Sequence, residues 1–271
     1  MLVDAAFDKT LRRDRLIVVI ALTTVIIVSW VYILSGAGMG ISAIDMTREN
    51  LSQDGMAGMA MMTPAVWAVD YIVLMIFMWW IMMIAMMLPS TSPMILLFVM
   101  LNRKQREKAN PYVSTGIFAL AYLVTWLAFS LVAVVLQASF QHLTWLSPML
   151  MNNSVILGGL ILLAAGIYQL TPIKQACLRH CRSPIQFIST RWRAGKMGSF
   201  QMGLEHGAYC VGCCWFLMGL LFFGGVMNLY WILGLAIFVL LEKMVPVGHW
   251  ISYATGFGLT GGGVWFLVQA W

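Results

Sequence analysis

Long apolar runs separated by short polar segments dominate the chain from about residue 16 onwards. A hydrocarbon core of about 30 Å requires roughly 20 apolar residues in a helix, and seven runs approach that length. These runs are Leu16–Ser35, a stretch within Ala65–Leu101, Val113–Gln137, Val155–Thr171, Gly207–Gly224, Leu229–Val245 and Trp250–Trp271. The pattern predicts an all-α, polytopic transmembrane helix bundle of about seven spans. Six spans also fit, because glycines and small polar residues dilute the last run.

The organisation along the chain follows from the same pattern. We expect residues 1–15 to form a cytoplasmic N-terminal segment and residues 16–271 to form a single transmembrane helical domain. No small-residue cleavage site clearly follows the first apolar run, which indicates a start-transfer helix rather than a removable signal peptide. Within the domain, residues 36–64 are predicted to be a methionine-rich outer loop and residues 172–202 a cysteine-bearing inner loop.

The second apolar run is too long for one untilted helix, and the sequence PSTSP, Pro89 to Pro93, interrupts it. Two prolines free backbone groups that lipid cannot satisfy. We therefore predict that the second span is broken at the prolines and faces the protein interior, as discontinuous helices at transporter ion sites do. A simple kink, or a span followed by an interfacial helix, explains the same residues.

Composition and charge agree with a membrane protein. Of the 271 residues, 61% are hydrophobic and 10% are charged, and the formal net charge is +6. All of the 16 Lys and Arg residues except Arg48 fall on one side of the predicted topology. The positive-inside rule places that side, and the N-terminus, in the cytoplasm, as expected for a multi-pass membrane protein. Membrane topology thus accounts for the positions of the basic residues. The sequence contains no nucleic-acid-binding module.

The cysteines are concentrated at one place. The stretch YCVGCCW, Tyr209 to Trp215, contains three of the five, and the other two precede it at Cys177 and Cys181. All five are predicted to lie near the cytoplasmic face, where a reducing environment disfavours a structural disulfide. In helices, Cys177 and Cys181 lie one above the other, as do Cys210 and Cys214, with Cys213 beside them.

This arrangement predicts a site for a thiophilic ion, with Cu(I) preferred and Zn(II) second. The candidate ligands are the five cysteines, Cys177, Cys181, Cys210, Cys213 and Cys214. His206 and Met218 lie on the same helical stripe as the last three cysteines, and His180 and Glu205 are further candidates. Three alternatives remain open. The cysteines could be small buried hydrophobes, they could form a structural zinc clamp, or they could serve thiol redox or iron–sulfur chemistry.

Methionine is the second unusual feature, with 22 residues in the chain. In MIFMWWIMMIAMMLPS, methionines recur every three or four residues and form a thioether stripe on one face of the second span. Thioethers prefer Cu(I) and bind Zn(II) poorly, so Met78, Met82 and Met86 are candidate steps of a copper path between the outer loop and the cysteines. Ordinary core packing by methionine is the alternative.

Two charged residues also interrupt the apolar runs. Glu242 and Lys243 lie near the inner end of the sixth run. Ionisable residues inside a membrane are functional candidates by default, and an interfacial anchor is the simpler explanation of this pair.

The two cysteine stretches, GIYQLTPIKQACLRHCRSP (Gly166 to Pro184) and GAYCVGCCWFLM (Gly207 to Met218), resemble a bacterial family of uncharacterised proteins that are predicted to be metal-binding integral membrane proteins. The string WWIMMIAMMLPS, Trp79 to Ser90, and the pair at Glu242 match the same family, and the resemblance runs from about Trp67 to Pro246. It implies metal binding and membrane residence, with the five cysteines as ligands and no assigned reaction.

The sequence therefore predicts an integral membrane protein that binds a soft metal ion, preferentially Cu(I), for translocation, storage or delivery. Its expected partners are membrane lipid and either a membrane-protein complex or a soluble metal chaperone. No nucleophile–base arrangement, phosphate loop or cofactor fingerprint is present, which favours a role without catalysis. Two other functions remain open. The protein could be an accessory subunit of a larger membrane complex, with a structural metal that holds its helices together, or a membrane thiol oxidoreductase that uses Cys210 and Cys213.

Overall fold

A computed structural model describes residues 2–51, 66–105, 111–147, 150, 152 and 154–270. Its helices in chain order are α1 (Leu2–Leu34), α2 (Ala43–Leu51), α3 (Val69–Gln105), α4 (Pro111–His142), α5 (Val155–Leu170), α6 (Pro172–Arg182), α7 (Pro184–Arg191), α8 (Gly195–Gly219), α9 (Leu221–Gly224), α10 (Leu229–Met244) and α11 (Gly248–Gln269). No strand occurs in these residues, apart from one isolated bridge between Leu146 and Asn152. The predicted all-α class is confirmed.

Four of the helices in the described residues are long and apolar enough to cross a membrane. The qualifying segments are Arg12–Leu34, Val69–Arg103, Ser114–His142 and Gly195–Gly224. The pair α5 and α6, bent by 66° at its junction, would make a fifth. Since α10 has only 16 residues and glycines dilute the apolar content of α11, the seven predicted spans are not all confirmed.

The predicted break in the second span does not occur. Helix α3 continues from Val69 to Gln105 with Pro89 and Pro93 inside it. Because Pro93 has no N–H, it cannot bond the carbonyl of Pro89 four residues earlier. The hydroxyl of Ser92 donates to that carbonyl instead, at 2.8 Å. The hydroxyl residues between the prolines thus help to satisfy the backbone without interrupting the helix.

The segment predicted as an outer methionine-rich loop, residues 36–64, is partly helical. It contains α2, whose Met46 is buried in the core. Residues 52–65 lie outside the described residues. Four methionines of the predicted loop fall in this range: Met56, Met59, Met61 and Met62.

A real break occurs where the sequence reads TP. Thr171 has extended backbone angles, φ −74° and ψ 147°, as expected for a residue that precedes proline. Its side chain accepts a hydrogen bond from the N–H of Lys174 and so caps α6. The chain therefore turns between α5 and α6, and α6 lies against α8. This turn brings Cys177 and Cys181 to the cysteines of α8.

Helices α5 and α11 are in close contact through small residues. A Cβ at Gly166 would lie 2.5 Å from the backbone nitrogen of Thr260, and one at Gly263 would lie 2.6 Å from the backbone nitrogen of Leu163. Glycines that allow such close backbone approach are typical of helix pairs in membranes. The glycine-rich final segment is therefore a packed helix of the bundle.

Candidate metal centre

The three cysteines of α8 lie on its buried face. Cys210, Cys213 and Cys214 are at most 1% exposed, while Trp215, on the opposite side, is 44% exposed. Spacings of three and four residues keep the three thiols on one side of an α-helix. Helices α3, α4, α6 and α10 supply the groups that surround them.

Cys210 lies against a buried cationic side chain. The ammonium of Lys243 on α10 is 3.0 Å from Cys210 Sγ, and the phenol of Tyr122 on α4 is 3.2 Å from the same sulfur. The sequence pairs Lys243 with its neighbour Glu242, but the structure directs the two side chains to different partners. An ammonium beside a sulfur in a low-dielectric interior stabilises a thiolate. Lys243 therefore places a positive charge beside the Cys210 sulfur.

The PSTSP segment supplies polar groups to this site. Ser90 is 3.2 Å from the Lys243 ammonium, and the hydroxyl of Thr91 donates to Tyr122 at 2.8 Å. Both hydroxyl residues are buried. The predicted inward orientation of this segment is therefore correct, although the helix itself is unbroken.

The remaining sulfur atoms lie close by. The thiols of Cys213 and Cys214 donate to the carbonyl of Cys210, at 3.1 and 2.8 Å. Cys181 Sγ on α6 is 3.9 Å from Cys213 Sγ, and Cys214 Sγ is 3.9 Å from Met87 Sδ on α3. We call these five residues, Cys181, Cys210, Cys213, Cys214 and Met87, the sulfur cluster.

Two sulfur–sulfur distances in the sulfur cluster equal the separation of neighbouring ligands in a metal site. With metal–sulfur bonds of about 2.3 Å, two ligands of a tetrahedral thiolate site lie roughly 3.8 Å apart. Both sulfur–sulfur distances of 3.9 Å match that separation. Within the part of the chain that the structure describes, no group of three or more His, Cys, Asp or Glu side chains is arranged to hold a metal ion. The observed sulfur–sulfur contacts are two separate pairs, Cys181 with Cys213 and Cys214 with Met87.

The other α6 candidates lie at the edge of the sulfur cluster. Cys177 is half-buried, and its Sγ would lie 3.0 Å from a Cβ at Gly212 of α8. His180 stacks on Tyr209 with ring centroids 4.1 Å apart, and its Nδ1 lies 2.9 Å from the carbonyl of Ala176. Of the two α6 cysteines, Cys181 makes the contact with the α8 thiols.

Glu205 and His206, the two candidates that precede the α8 cysteines, have different surroundings in the structure. Glu205 turns towards α7 and pairs with Arg191 at 2.5 Å, so it does not orient the imidazole of His206. His206 is 2% exposed and lies among the rings of Phe118, Tyr122 and Phe187. Its Nδ1 is buried and has no hydrogen-bond partner among the described residues. An unpartnered imidazole nitrogen is free to bind an ion.

The methionine stripe of α3 is entirely buried. Met78, Met82 and Met86 are at most 1% exposed and belong to the same apolar core as Met218 and the α8 cysteines. The methionine that contacts a thiol is Met87, which the sequence prediction missed. The sequence does contain a signal for Met87. In the doublet MM, Met86 and Met87 are consecutive residues, so one thioether lies on each of two adjacent faces of α3.

A second polar cluster lies beside the sulfur cluster. Lys174 on α6 forms an ion pair with Glu242 on α10, and both side chains are fully buried. Gln169 and Ser252 hydrogen-bond to the two ends of this pair, Gln169 to the lysine and Ser252 to the carboxylate. The pair thus connects α5, α6, α10 and α11. The sequence prediction treated Lys174 only as one of the basic residues of the inner face.

The described residues form an all-helical bundle with buried cysteine and methionine side chains near one ammonium, and soft sulfur donors of this kind suit thiophilic metal ions. Residues 76–266 match the model of the PpoB2 family, described as a copper chaperone, and the chain belongs to that family. The match confirms the metal-related resemblance of the sequence, although it begins later and ends later than Trp67 to Pro246. No curated protein and no solved structure matches the chain.

Proposed function

We propose that this protein is an integral membrane copper carrier that holds Cu(I) at the sulfur cluster and passes it on. The observation that carries the proposal is the meeting of thiols from α6 and α8 with a thioether from α3 beside the ammonium of Lys243. Thiolates and thioethers are the donors that select Cu(I). The family described as copper chaperones supports the same metal.

A buried site without net charge can be assembled here with Cu(I) or with Zn(II). Uncompensated charge is costly in a buried position. Two thiolates, one Cu(I) ion and the Lys243 ammonium sum to zero. Three thiolates around Zn(II) beside the same ammonium also sum to zero. Charge alone therefore does not choose between the two ions, and the thioether of Met87, a donor that Zn(II) binds poorly, favours Cu(I).

The proposed entry route is the methionine stripe of α3. Met78, Met82 and Met86 occupy successive turns of one helix that leads to Met87 and Cys214. Weak thioether sites spaced by one turn would let the ion move in steps and bind most tightly at the cysteines. His206 is the proposed additional ligand on the α8 side.

The proposed setting is the bacterial inner membrane, with the N-terminus in the cytoplasm. The charge asymmetry of the sequence supports this orientation, and side-specific labelling of Cys177 would check it. We propose that α10 and α11, packed in the same bundle, complete a set of about seven spans. A soluble metal chaperone or a membrane-protein complex is the proposed partner on the sulfur-cluster side.

Metal preference tests this function directly. The purified, reduced protein, offered Cu(I) and Zn(II) together, is expected to retain Cu(I) at a stoichiometry of about one, because methionine contributes to Cu(I) binding but hardly to Zn(II) binding. Elemental analysis after desalting measures both metals. Retention of Zn(II) in excess over Cu(I) would show that the site is a structural zinc clamp.

The methionine route gives a separate prediction. Changing Met78, Met82 and Met86 together to Leu keeps volume and apolarity while removing the thioethers. The purified variant is expected to fold and to bind copper at the sulfur cluster, whereas copper accumulation by cells that express it should fall several-fold. A matched triple replacement of lipid-facing leucines, Leu120, Leu131 and Leu136, by Met serves as the control. Unchanged copper handling by the α3 variant would favour packing as the role of these methionines.

A further inference from the structure

A basic cavity lies between α6 and α11 and shares no lining residue with the sulfur cluster. Its volume is about 460 Å³. The polar residues that line it are Gln175, Arg179, Arg182, His249 and Tyr253, and its apolar lining comes from the end of α5 and from α6. The copper function described above does not use this cavity.

The charge of the cavity is not neutralised by its own lining. None of the described residues that line it is Asp or Glu. Glu242, the acidic residue of the adjacent polar cluster, is fully buried and paired with Lys174. Two guanidinium groups therefore face the cavity without a carboxylate, and an anion is the ligand that their charge favours.

One of the two arginines is held in place. Arg182 donates from Nη2 to the carbonyls of Val245 and Pro246, at 2.7 and 2.5 Å, which fixes its guanidinium at the α10–α11 connection. Its other donors remain available to a ligand. Arg179 and His249 are exposed at the edge of the cavity, where a ligand enters.

The surroundings of the cavity indicate the depth of a lipid headgroup. Exposed apolar side chains flank it, with Ile173 on α6 65% exposed and Trp250 on α11 66% exposed. Trp250 and Tyr253 provide aromatic rings of the kind that lie at a membrane interface. A ligand with a phosphate at the arginines would therefore have acyl chains along an apolar flank.

We propose that this cavity binds the phosphate of an anionic phospholipid. Basic pockets between membrane helices on the cytoplasmic side take such headgroups. The phosphate accepts hydrogen bonds from Arg179 and Arg182, Tyr253 lies beside it, and Ile173 and Trp250 contact the acyl chains. The proposal is independent of copper, since the sulfur cluster shares no residue with the cavity.

The test measures the thermal stability of the detergent-purified, delipidated full-length protein. Phosphatidylglycerol or cardiolipin is expected to raise the midpoint of unfolding, while phosphatidylcholine and inorganic phosphate at the same phosphate concentration should have little effect. Arg179→Gln should raise the lipid concentration needed for half the effect about fivefold, the equivalent of about 1 kcal/mol per basic residue at an anionic membrane surface. Arg193→Gln is the matched control, because Arg193 is a basic residue outside the cavity that bonds Gln201.

Three outcomes would overturn the proposal. Equal stabilisation by phosphatidylcholine would show that the acyl chains alone account for the effect. Equal stabilisation by inorganic phosphate would assign the cavity to a free anion. An equal loss in Arg193→Gln and Arg179→Gln would assign lipid binding to the general basic surface.

Discussion

Replacing Cys210 and Cys214 together by Ser is expected to remove copper from the purified protein. The change deletes the sulfur that faces Lys243 and the sulfur that faces Met87, so two of the four cluster thiols are lost. A hydroxyl is a poor ligand for Cu(I), and metal content should fall by at least tenfold. The serines retain hydrogen-bonding groups near Lys243, which limits the cost to folding.

Cys177→Ser is the matched control for this experiment. Cys177 lies at the edge of the site on α6, and its sulfur faces Gly212 rather than another thiol. This variant should retain most of its copper. Circular dichroism of both proteins establishes that the helices are intact. Full copper in the double variant would place the metal elsewhere in the protein.

Glu242→Leu is expected to have the largest effect on stability. It leaves the Lys174 ammonium buried and without its carboxylate, and losing one partner of a buried ion pair costs about 3–5 kcal/mol. The free energy of unfolding in detergent, measured by denaturant titration, should decrease by that amount. Four helices meet at this pair, so the protein as a whole should be affected.

The double variant Lys174→Met with Glu242→Leu separates charge from packing. It removes both charges and keeps apolar volume, so most of the lost stability should return. Arg191→Gln, which breaks the partly exposed pair with Glu205, should cost at most about 1 kcal/mol. Equal stability of Glu242→Leu and the double variant would mean that the lysine finds another partner.

The helices of this fold were largely predictable from sequence because apolar run length is a direct consequence of bilayer thickness. The error in the second span concerns proline. PSTSP was predicted to break the second span, yet Ser92 satisfies a carbonyl that Pro93 leaves free. At Thr171 and Pro172 the chain does turn, because Thr171 adopts extended angles and caps the next helix. The hydrophobic pattern does predict this second boundary, because the fourth apolar run ends at Thr171, whereas the continuity of the second span depends on a side-chain hydrogen bond that the pattern does not contain.

The candidate site was predictable to the extent that its members share a helix. Spacing alone places Cys210, Cys213 and Cys214 on one face. The partners across helices were not predictable in the same way: Lys243 contacts Cys210 rather than forming a pair with Glu242, and Glu205 contacts Arg191. Such contacts depend on how the helices are rotated in the bundle, which a single sequence does not specify.

Glu242 and Lys243 are consecutive residues of α10 with different partners, and this has a mechanical consequence. Successive side chains of an α-helix diverge by about 100°, so α10 faces the ion pair with one residue and the thiols with the next. Any axial rotation that withdraws Lys243 from Cys210 also moves Glu242 away from Lys174. Withdrawal of the ammonium from the Cys210 thiol and opening of the buried ion pair are thus coupled through the rotation of one helix.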